Sequence, residues 1–273
     1  MSLKLMYITN NPEIAYIAET NGVDWIFIDL EVNGKELRQP NMDTVKSKHS
    51  IEDIVKVKRV LKNSKLLVRI NPIYENSQYE INEVLKAGAD IIMLPYFKTV
   101  EEVRLFIKAV GSSAEKCLLL ETPEAVEVLD EILEIDGIDY IHIGLNDLHL
   151  GYHKKFMFEL LSDGTVERIA TKIKTKNIKY GFGGIARIGD GTLPAELILN
   201  EHYRLKSELV ILSRSFYRFD EKDSYSKINA LFSDGIGSLR EYERLLEGKN
   251  STFFNDSNKQ MVAIINNIIA RME

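Results

Sequence analysis

The sequence predicts a (β/α)8 barrel, the TIM-barrel fold, with additional helices at its C-terminal end. Eight short runs rich in β-branched and aromatic residues alternate with longer segments of helical periodicity, which is the pattern of repeated βα units around a parallel sheet. The chain has 273 residues, close to the length of about 250 residues that is typical of such barrels. One turn recurs at three strand entries, where a glycine ends a helix and an aliphatic strand follows almost at once: Gly22, Gly88 and Gly137.

The elements follow in regular order. The predicted strands are residues 3–8, 24–31, 65–71, 90–95, 117–121, 138–144, 179–184 and 208–215. The predicted helices between them lie near 12–21, 51–62, 78–87, 99–110, 123–135, 164–176 and 194–205. Two further helical patterns lie near 223–247 and 256–272. We therefore expect one domain over residues 1–273, with the barrel ending near residue 220 and a helical extension from about 221 onwards.

The last predicted helix has an apolar face. Met261, Ile264, Ile265, Ile268 and Ile269 share that face, which is more apolar surface than a tail beyond a closed barrel needs. We expect this helix to pack on a neighbouring subunit of a homo-oligomer.

Composition excludes several classes of protein. The 35 Lys and Arg against 41 Asp and Glu give a net charge of -6 without a long block of one sign, so we expect no nucleic-acid partner. The single cysteine, Cys117, cannot form an internal disulfide and lies in an apolar run, so we expect it in the core. Apolar runs are well short of the roughly 20 residues that cross a bilayer, and the N-terminal run is too short for a secretion signal, so we expect no membrane contact and a cytoplasmic location.

Strand alternation places ionisable side chains inside the barrel. On the second strand the branched residues at positions 26, 28 and 30 face the helices, so Asp29 and Glu31 point inwards. By the same alternation Arg69, Glu121 and His142 point inwards from the third, fifth and sixth strands. Buried carboxylates need a metal, a ligand or a charged partner.

A structural salt-bridge layer is the alternative to a functional site. Asp29, Arg69 and Glu121 could neutralise one another, but Glu31 and Asp147 would then still need partners. The C-terminal mouth of the barrel, where these side chains converge, is the place where TIM barrels hold their active sites. We therefore favour a functional site at the mouth.

Two segments resemble a known family. Residues 118–126 (LLLETPEAV) and 137–148 (GIDYIHIGLNDL) are similar to the signature of the HpcH/HpaI aldolase and citrate lyase family, one of the phosphoenolpyruvate/pyruvate TIM barrels. Residues 24–31 (DWIFIDLE), 68–71 (VRIN) and 88–95 (GADIIMLP) match as well. The likeness covers roughly residues 20 to 150.

The resemblance implies a metal-dependent enolate site. Glu121 and Asp147 would hold one divalent cation, Mg²⁺ or Mn²⁺, which carboxylate oxygens suit as hard ligands. The substrate would be a 2-oxo acid such as pyruvate, with Arg69 steadying the enolate oxygen and Asp29 or Glu31 ordering the water or base. A helix-capping role is the alternative for Asp147.

Further groups are predicted to bind the substrate. The backbone amides of Gly144, Leu145 and Asn146 are placed to hold its carboxylate. After the seventh and eighth strands, Arg187 or Arg214 is predicted to bind an anionic group, such as a phosphate or a sugar-acid carboxylate, on a second substrate that would be an anionic aldehyde. The alternative for these arginines is a salt bridge to Asp190 or Glu208. The polar loop over residues 32–50 is either a lid or a segment without function.

The sequence also departs from the family pattern. The histidine that such aldolases have directly after the acidic pair of strand two is Val32 here, and Leu119 replaces a glutamine before Glu121. Five side chains are candidates for the base: His142, His149, His153, Asp29 and His49.

Three functions remain open. The leading interpretation is a metal-dependent carbon–carbon lyase of the class II aldolase type that acts on a 2-oxo acid or hydroxy-oxo acid. The second is a citrate-lyase-like enzyme that acts on an acyl-CoA thioester, since those relatives also lack the histidine. The third is a barrel that binds a 2-oxo acid or sugar acid without turnover.

Overall fold

In a computed structural model, which describes residues 2–33, 49–213, 216–217 and 223–272, eight parallel strands close into a barrel. The strands follow one another around the barrel in chain order, and β1 pairs with both β2 and β8. They are β1 Lys4–Ile8, β2 Trp25–Asp29, β3 Lys65–Arg69, β4 Ile91–Leu94, β5 Glu115–Leu120, β6 Tyr140–Ile143, β7 Lys179–Ile185 and β8 Leu209–Leu212. The predicted TIM barrel with additional C-terminal helices is confirmed.

Helices surround the barrel and continue beyond it. They are α1 Pro12–Thr20, α2 Ile51–Lys58, α3 Ser77–Ala87, α4 Val100–Val110, α5 Pro123–Glu127, α6 Leu129–Ile132, α7 Leu145–Gly151, α8 Glu159–Ser162, α9 Thr165–Lys174, α10 Ala195–Leu205, α11 Tyr225–Glu247 and α12 Ser251–Ala270. Two short helices, α7 and α8, lie between β6 and α9, where the sequence pattern predicted none. The last helix begins earlier than predicted, because the Asn250 side chain accepts a hydrogen bond from the Phe253 N–H and caps it.

The core has two layers. The inner layer fills the barrel with side chains from alternate strand positions: Met6, Trp25, Phe27, Leu67, Ile91, Met93, Cys117, Leu119, Tyr140 and Leu209. The outer layer, to which Ile26 and Ile28 belong, packs the strands against the helices. Cys117 is fully buried as expected, and burial raises the pKa of its thiol above the ordinary value.

This packing fixes which strand positions face the barrel axis. Trp25 and Phe27 lie in the inner layer, so Asp29, two residues further along β2, is on the same face. The three predicted turn glycines are left-handed, with φ of 97° at Gly22, 106° at Gly88 and 91° at Gly137.

The C-terminal helices pack on the barrel of their own chain. Helix α12 lies against α10, and α11 lies against α1. Met261 and Ile265 of α12 are fully buried by this packing. Part of the apolar face is therefore accounted for within one subunit, and its contact with a neighbouring subunit stays a prediction. None of the helices in the described ranges combines the length and the apolar character that crossing a bilayer requires.

Candidate active site

Arg69 and two carboxylates form an ion-paired cluster at the C-terminal ends of β2 and β3. Asp29 and Arg69 are register partners, and Arg69 Nε and Nη2 donate to Asp29 Oδ1 and Oδ2, both at 2.8 Å. Arg69 Nη1 lies 3.4 Å from Glu31 Oε2. The side chains of Asp29 and Glu31 are each 2% exposed, and that of Arg69 is 14% exposed. The salt bridge expected between Asp29 and Arg69 is therefore present, and Glu31, which that alternative left without a partner, pairs with Arg69 as well. Arg69 still reaches solvent at the mouth.

Electrostatics keep Arg69 charged. Burial by itself lowers the pKa of the guanidinium, but the neighbouring carboxylates, Asp29 foremost, outweigh burial and raise the pKa above its usual range. The charge of Glu121 contributes in the same direction. The ring of Phe27 lies below the guanidinium at 5.5 Å. The mouth therefore holds a fixed cation.

Hydrogen bonds to the side chains of Asp29 and Asn71 hold the segment that follows β2. The Glu31 N–H donates to Asp29 Oδ1 at 3.2 Å. The N–H groups of Val32 and Asn33 both donate to Asn71 Oδ1 at 3.0 Å, and Asn71 Nδ2 donates to a Glu80 oxygen at 2.8 Å. These bonds orient Glu31 into the mouth.

Glu121 occupies the other side of the mouth, directly after β5. Its carboxylate is buried, and Oε1 accepts the Tyr96 N–H at 3.1 Å. Oε2 lies against Gly144, where an added Cβ would be only 2.7 Å from that oxygen. Any residue larger than glycine at position 144 would therefore collide with the Glu121 carboxylate.

The prediction for the Gly144 amide is wrong. Its N–H donates to the Leu120 carbonyl at 3.0 Å as part of the strand ladder, so it is not available to a substrate carboxylate. Leu145, Asn146 and Asp147 form the first turn of α7, where backbone N–H groups have no acceptor within the helix. Binding of a carboxylate by Leu145 and Asn146 stays a prediction, as does metal binding by Asp147.

The arginines after β7 and β8 have different outcomes. Arg187 follows β7, and its Nε forms an ion pair with Asp190 Oδ2 at 3.9 Å, so the salt-bridge alternative for this residue is found in the structure. The stem of Arg187 packs beside Gly235 of α11. Arg214 and most of the loop over 32–50 lie outside the described residues, so those predictions stand as made.

The structure separates the histidine candidates. His142 is buried inside the barrel, its Nε2 donates to the Gly183 carbonyl at 3.0 Å, and burial lowers its pKa to about 4. His149 is also buried and donates through Nδ1 to the Leu145 carbonyl at 3.1 Å, whereas His153 is exposed. The choice of the base among these side chains stays a prediction.

His49 contacts the ion-paired cluster directly. Its Nδ1 accepts the Asp29 N–H at 2.9 Å, beside the end of β2. Because Nδ1 accepts, the neutral ring has its proton on Nε2 and is a hydrogen-bond donor there. Val32, at the position of the family histidine, is 61% exposed.

Carboxylates from β5 and from the loop after β6 are the residues that could hold a cation. Among the described residues no group of three or more His, Cys, Asp or Glu side chains is placed to hold a metal ion. Glu121 and Asp147 would therefore supply two oxygens, and water or substrate the others, as is common for Mg²⁺.

Sequence reasoning missed two contributors to the site. The Tyr96 N–H that orients Glu121 belongs to a loop without periodicity, and no pattern marks it. The approach of His49 to Asp29 depends on how the chain returns to the barrel. A signal for Tyr96 would have been its position directly after a barrel strand, where loops build the active-site face.

Known proteins resemble the chain in sequence and in fold. The 2-keto-3-deoxy-L-rhamnonate aldolases of Salmonella paratyphi B and Salmonella newport are each 30% identical to it over 171 residues. The match covers 51% of this chain, and the chain spans 58% of the length of those relatives.

Solved structures share the fold. An HpcH/HpaI aldolase from Desulfitobacterium hafniense superposes with a TM-score of 0.59 at 15% identity, over 88% of this chain and 93% of that one. The citrate synthase SbnG superposes with a TM-score of 0.60 at 16% identity, over 89% of this chain and 95% of that one. The model of the HpcH/HpaI aldolase/citrate lyase family matches residues 4–181, the barrel from β1 into β7, and the chain belongs to that family.

Proposed function

We propose that this protein is a carbon–carbon lyase that cleaves or forms a hydroxy-oxo acid through a pyruvate-like enolate, with a divalent cation held by Glu121 and Asp147. Family membership supports lyase chemistry. The relatives named for 2-keto-3-deoxy-L-rhamnonate suggest a 2-oxo sugar acid as the substrate class. The observation that carries the proposal is the buried carboxylate of Glu121, aimed at the β6 side of a mouth whose opposite side holds the Arg69 cation.

The donor set fits Mg²⁺ or Mn²⁺. Both ions prefer oxygen ligands and retain positions for water or substrate, which two carboxylates leave available. Such an ion supplies Lewis acidity toward the keto and carboxylate oxygens of a 2-oxo acid.

Arg69 supplies a positive charge for the enolate oxygen. In cleavage, a base removes the proton of the C4 hydroxyl, the C3–C4 bond breaks, and its electron pair moves to the C2 oxygen while an aldehyde leaves. A guanidinium has five N–H groups, and two of those of Arg69 donate to Asp29. Nη1 also lies 3.4 Å from Glu31 Oε2, and an N–H that these carboxylates leave available donates to the enolate oxygen.

The ion-paired carboxylates handle the proton through water. Asp29 and Glu31 are buried and held by Arg69, so they can orient a water molecule beside the substrate hydroxyl. His49 Nε2–H adds a donor next to this cluster. Arg187, which follows β7, supplies a guanidinium for an anionic group on the aldehyde part.

Exchange of the methyl protons of pyruvate tests the proposal. Protein, Mn²⁺ and pyruvate are incubated in D₂O, and loss of the methyl signal is followed by proton NMR. We expect exchange with the wild-type protein, none with Glu121→Ala, and normal exchange with Glu124→Gln, an exposed acid three residues further on.

Other outcomes would contradict the lyase proposal. Metal-dependent binding of pyruvate without exchange would indicate a binding protein. Exchange that requires an acyl-CoA thioester would indicate the citrate-lyase-like alternative.

A further inference from the structure

The loop that follows β4 contains a residue with an uncommon backbone conformation. Tyr96 has a positive φ of 48°, which side chains other than glycine seldom adopt. Among the residues that the structure describes, three other non-glycine residues have a positive φ, and each lies within three residues after the end of a helix, where left-handed residues are ordinary: His153, Asn177 and Lys206. Tyr96 follows a strand at the barrel mouth, so a helix end does not explain its conformation.

The conformation places the Tyr96 N–H on Glu121. That N–H donates to Glu121 Oε1 at 3.1 Å. The next residue, Phe97, accepts a hydrogen bond from Thr122 Oγ1 through its carbonyl at 2.7 Å, and both residues are 1% exposed. At the surface, Lys98 Nζ donates to Glu124 at 2.8 Å. Three consecutive loop residues therefore bind the segment that contains Glu121.

Gly144 lies beside the second oxygen of the Glu121 carboxylate, the one that the Tyr96 N–H does not bind. With Oε1 turned to the Tyr96 N–H, Oε2 faces Gly144, which has no Cβ to displace it. Gly144 immediately precedes the turn that contains Asp147. The two oxygens of the Glu121 carboxylate thus have separate neighbours, one just after β4 and one just after β6.

We propose that Tyr96 is a positioning residue: its left-handed backbone turns the amide N–H onto Glu121 Oε1 and so presents Oε2 to the divalent cation on the β6 side. This inference rests on the proposed function, since it assumes that Glu121 binds the ion. Bonds to the outer oxygens of a metal-binding carboxylate fix its orientation, and their loss typically weakens metal affinity by about 10- to 100-fold.

Two substitutions at the same position isolate the backbone. Tyr96→Asn and Tyr96→Val both remove the phenol ring and keep the N–H, but Asn tolerates the left-handed region and Val, being β-branched, does not. The free Mn²⁺ signal in electron paramagnetic resonance titrations gives the dissociation constant of each variant without any enzyme assay. We expect about tenfold weaker binding for Tyr96→Val and affinity within about twofold of wild type for Tyr96→Asn.

The outcomes are distinguishable. Equal affinities in the two variants, or equal weakening, would overturn the role of the Tyr96 backbone while leaving the proposed function in place. If the wild-type protein binds no Mn²⁺, the proposed function fails instead. Should Tyr96→Val not fold, Tyr96→Ala and Tyr96→Gly repeat the comparison with small side chains, because glycine adopts the left-handed region freely and alanine does not: weaker Mn²⁺ binding in the alanine variant would support the inference, and equal affinities would contradict it.

Discussion

The two sides of the barrel mouth hold carboxylates in opposite ways. On the β2–β3 side, Asp29 and Glu31 are bound by the guanidinium of Arg69. On the β5–β6 side, Glu121 accepts a main-chain N–H and faces a glycine, and Asp147 lies in the first turn of α7. Both sides use carboxylates, but the donors differ: guanidinium N–H groups donate to Asp29, and a main-chain N–H donates to Glu121.

The difference indicates that the two sides of the mouth have separate roles. Where a guanidinium satisfies the carboxylates, they are fixed and suited to orienting water. On the β5–β6 side a main-chain N–H holds one oxygen of Glu121, and the second oxygen faces Gly144. We therefore propose the β5–β6 side for the ion and the β2–β3 side for proton handling.

The largest expected effect is on catalysis, from Glu121→Gln. The amide keeps an oxygen for the Tyr96 N–H but removes the charge that the ion needs, so we expect pyruvate exchange to fall about 10³-fold, the equivalent of about 4 kcal/mol. Thermal unfolding should change little. Glu124→Gln is the matched control, and exchange that survives in Glu121→Gln would remove the functional distinction between the two sides.

The second effect is on stability, from Arg69→Met. Removing the guanidinium leaves Asp29 and Glu31 buried without their cation, which typically costs about 3–5 kcal/mol. Urea unfolding should show this loss, whereas Arg168→Met, at an exposed position, should cost below about 1 kcal/mol. A loss at Arg69 no larger than at Arg168 would show that the ion pairs do not stabilise the fold.

Acid stability tests the layer below the mouth. Burial lowers the pKa of His142 to about 4, from an ordinary value of about 6.5, so the unfolded chain binds a proton that the folded chain does not between these pH values. Stability is unaffected by this group above pH 6.5 and falls by up to roughly 3 kcal/mol as the pH drops to 4. Burial also lowers the pKa of His202, which acts in the same direction.

The acid limb of a plot of unfolding free energy against pH, that is, the fall in stability below about pH 6.5, should therefore be less steep in His142→Asn than in wild type. His153→Asn, at an exposed position, serves as the control. An acid limb of equal slope in His142→Asn and wild type would show that His142 is not held neutral.

The smallest effect concerns the second substrate and Arg187→Ala. Loss of one charge-assisted contact should raise the apparent KM for an anionic aldehyde about tenfold and leave pyruvate exchange intact. Arg104→Ala, on the exposed face of α4, is the control. If KM does not change, Arg187 has a structural role beside α11 and does not bind the substrate.

Strand periodicity was sufficient to predict the barrel and the inward side chains. Branched residues at alternate positions of β2 face the helices, so Asp29 lies inside the barrel. This prediction needs the sequence of that one strand alone. The ion pair between Asp29 and Arg69 could not be predicted from one strand, because it depends on the register between β2 and β3. Register is set by closure of the whole barrel, which no single segment encodes.

Contacts made by loops could not be predicted in the same way. Tyr96 and His49 reach the site through a left-handed backbone and a side chain that bonds to a strand end, and neither has a periodic signature. For Gly144 the sequence pattern predicted a contact that the structure does not have. Its amide lies in a turn that predicts a donor, but the ladder bond to Leu120 occupies the N–H, and only three-dimensional packing reveals that the missing Cβ matters.

Anomalous scattering from crystals soaked in Mn²⁺ tests the division of the mouth most directly. We predict a single manganese peak bonded to Glu121 Oε2 and an oxygen of Asp147, with Arg69 still bound to Asp29. A peak between Asp29 and Glu31, or a Glu121 carboxylate turned away from Asp147 with no ion beside it, would contradict the account.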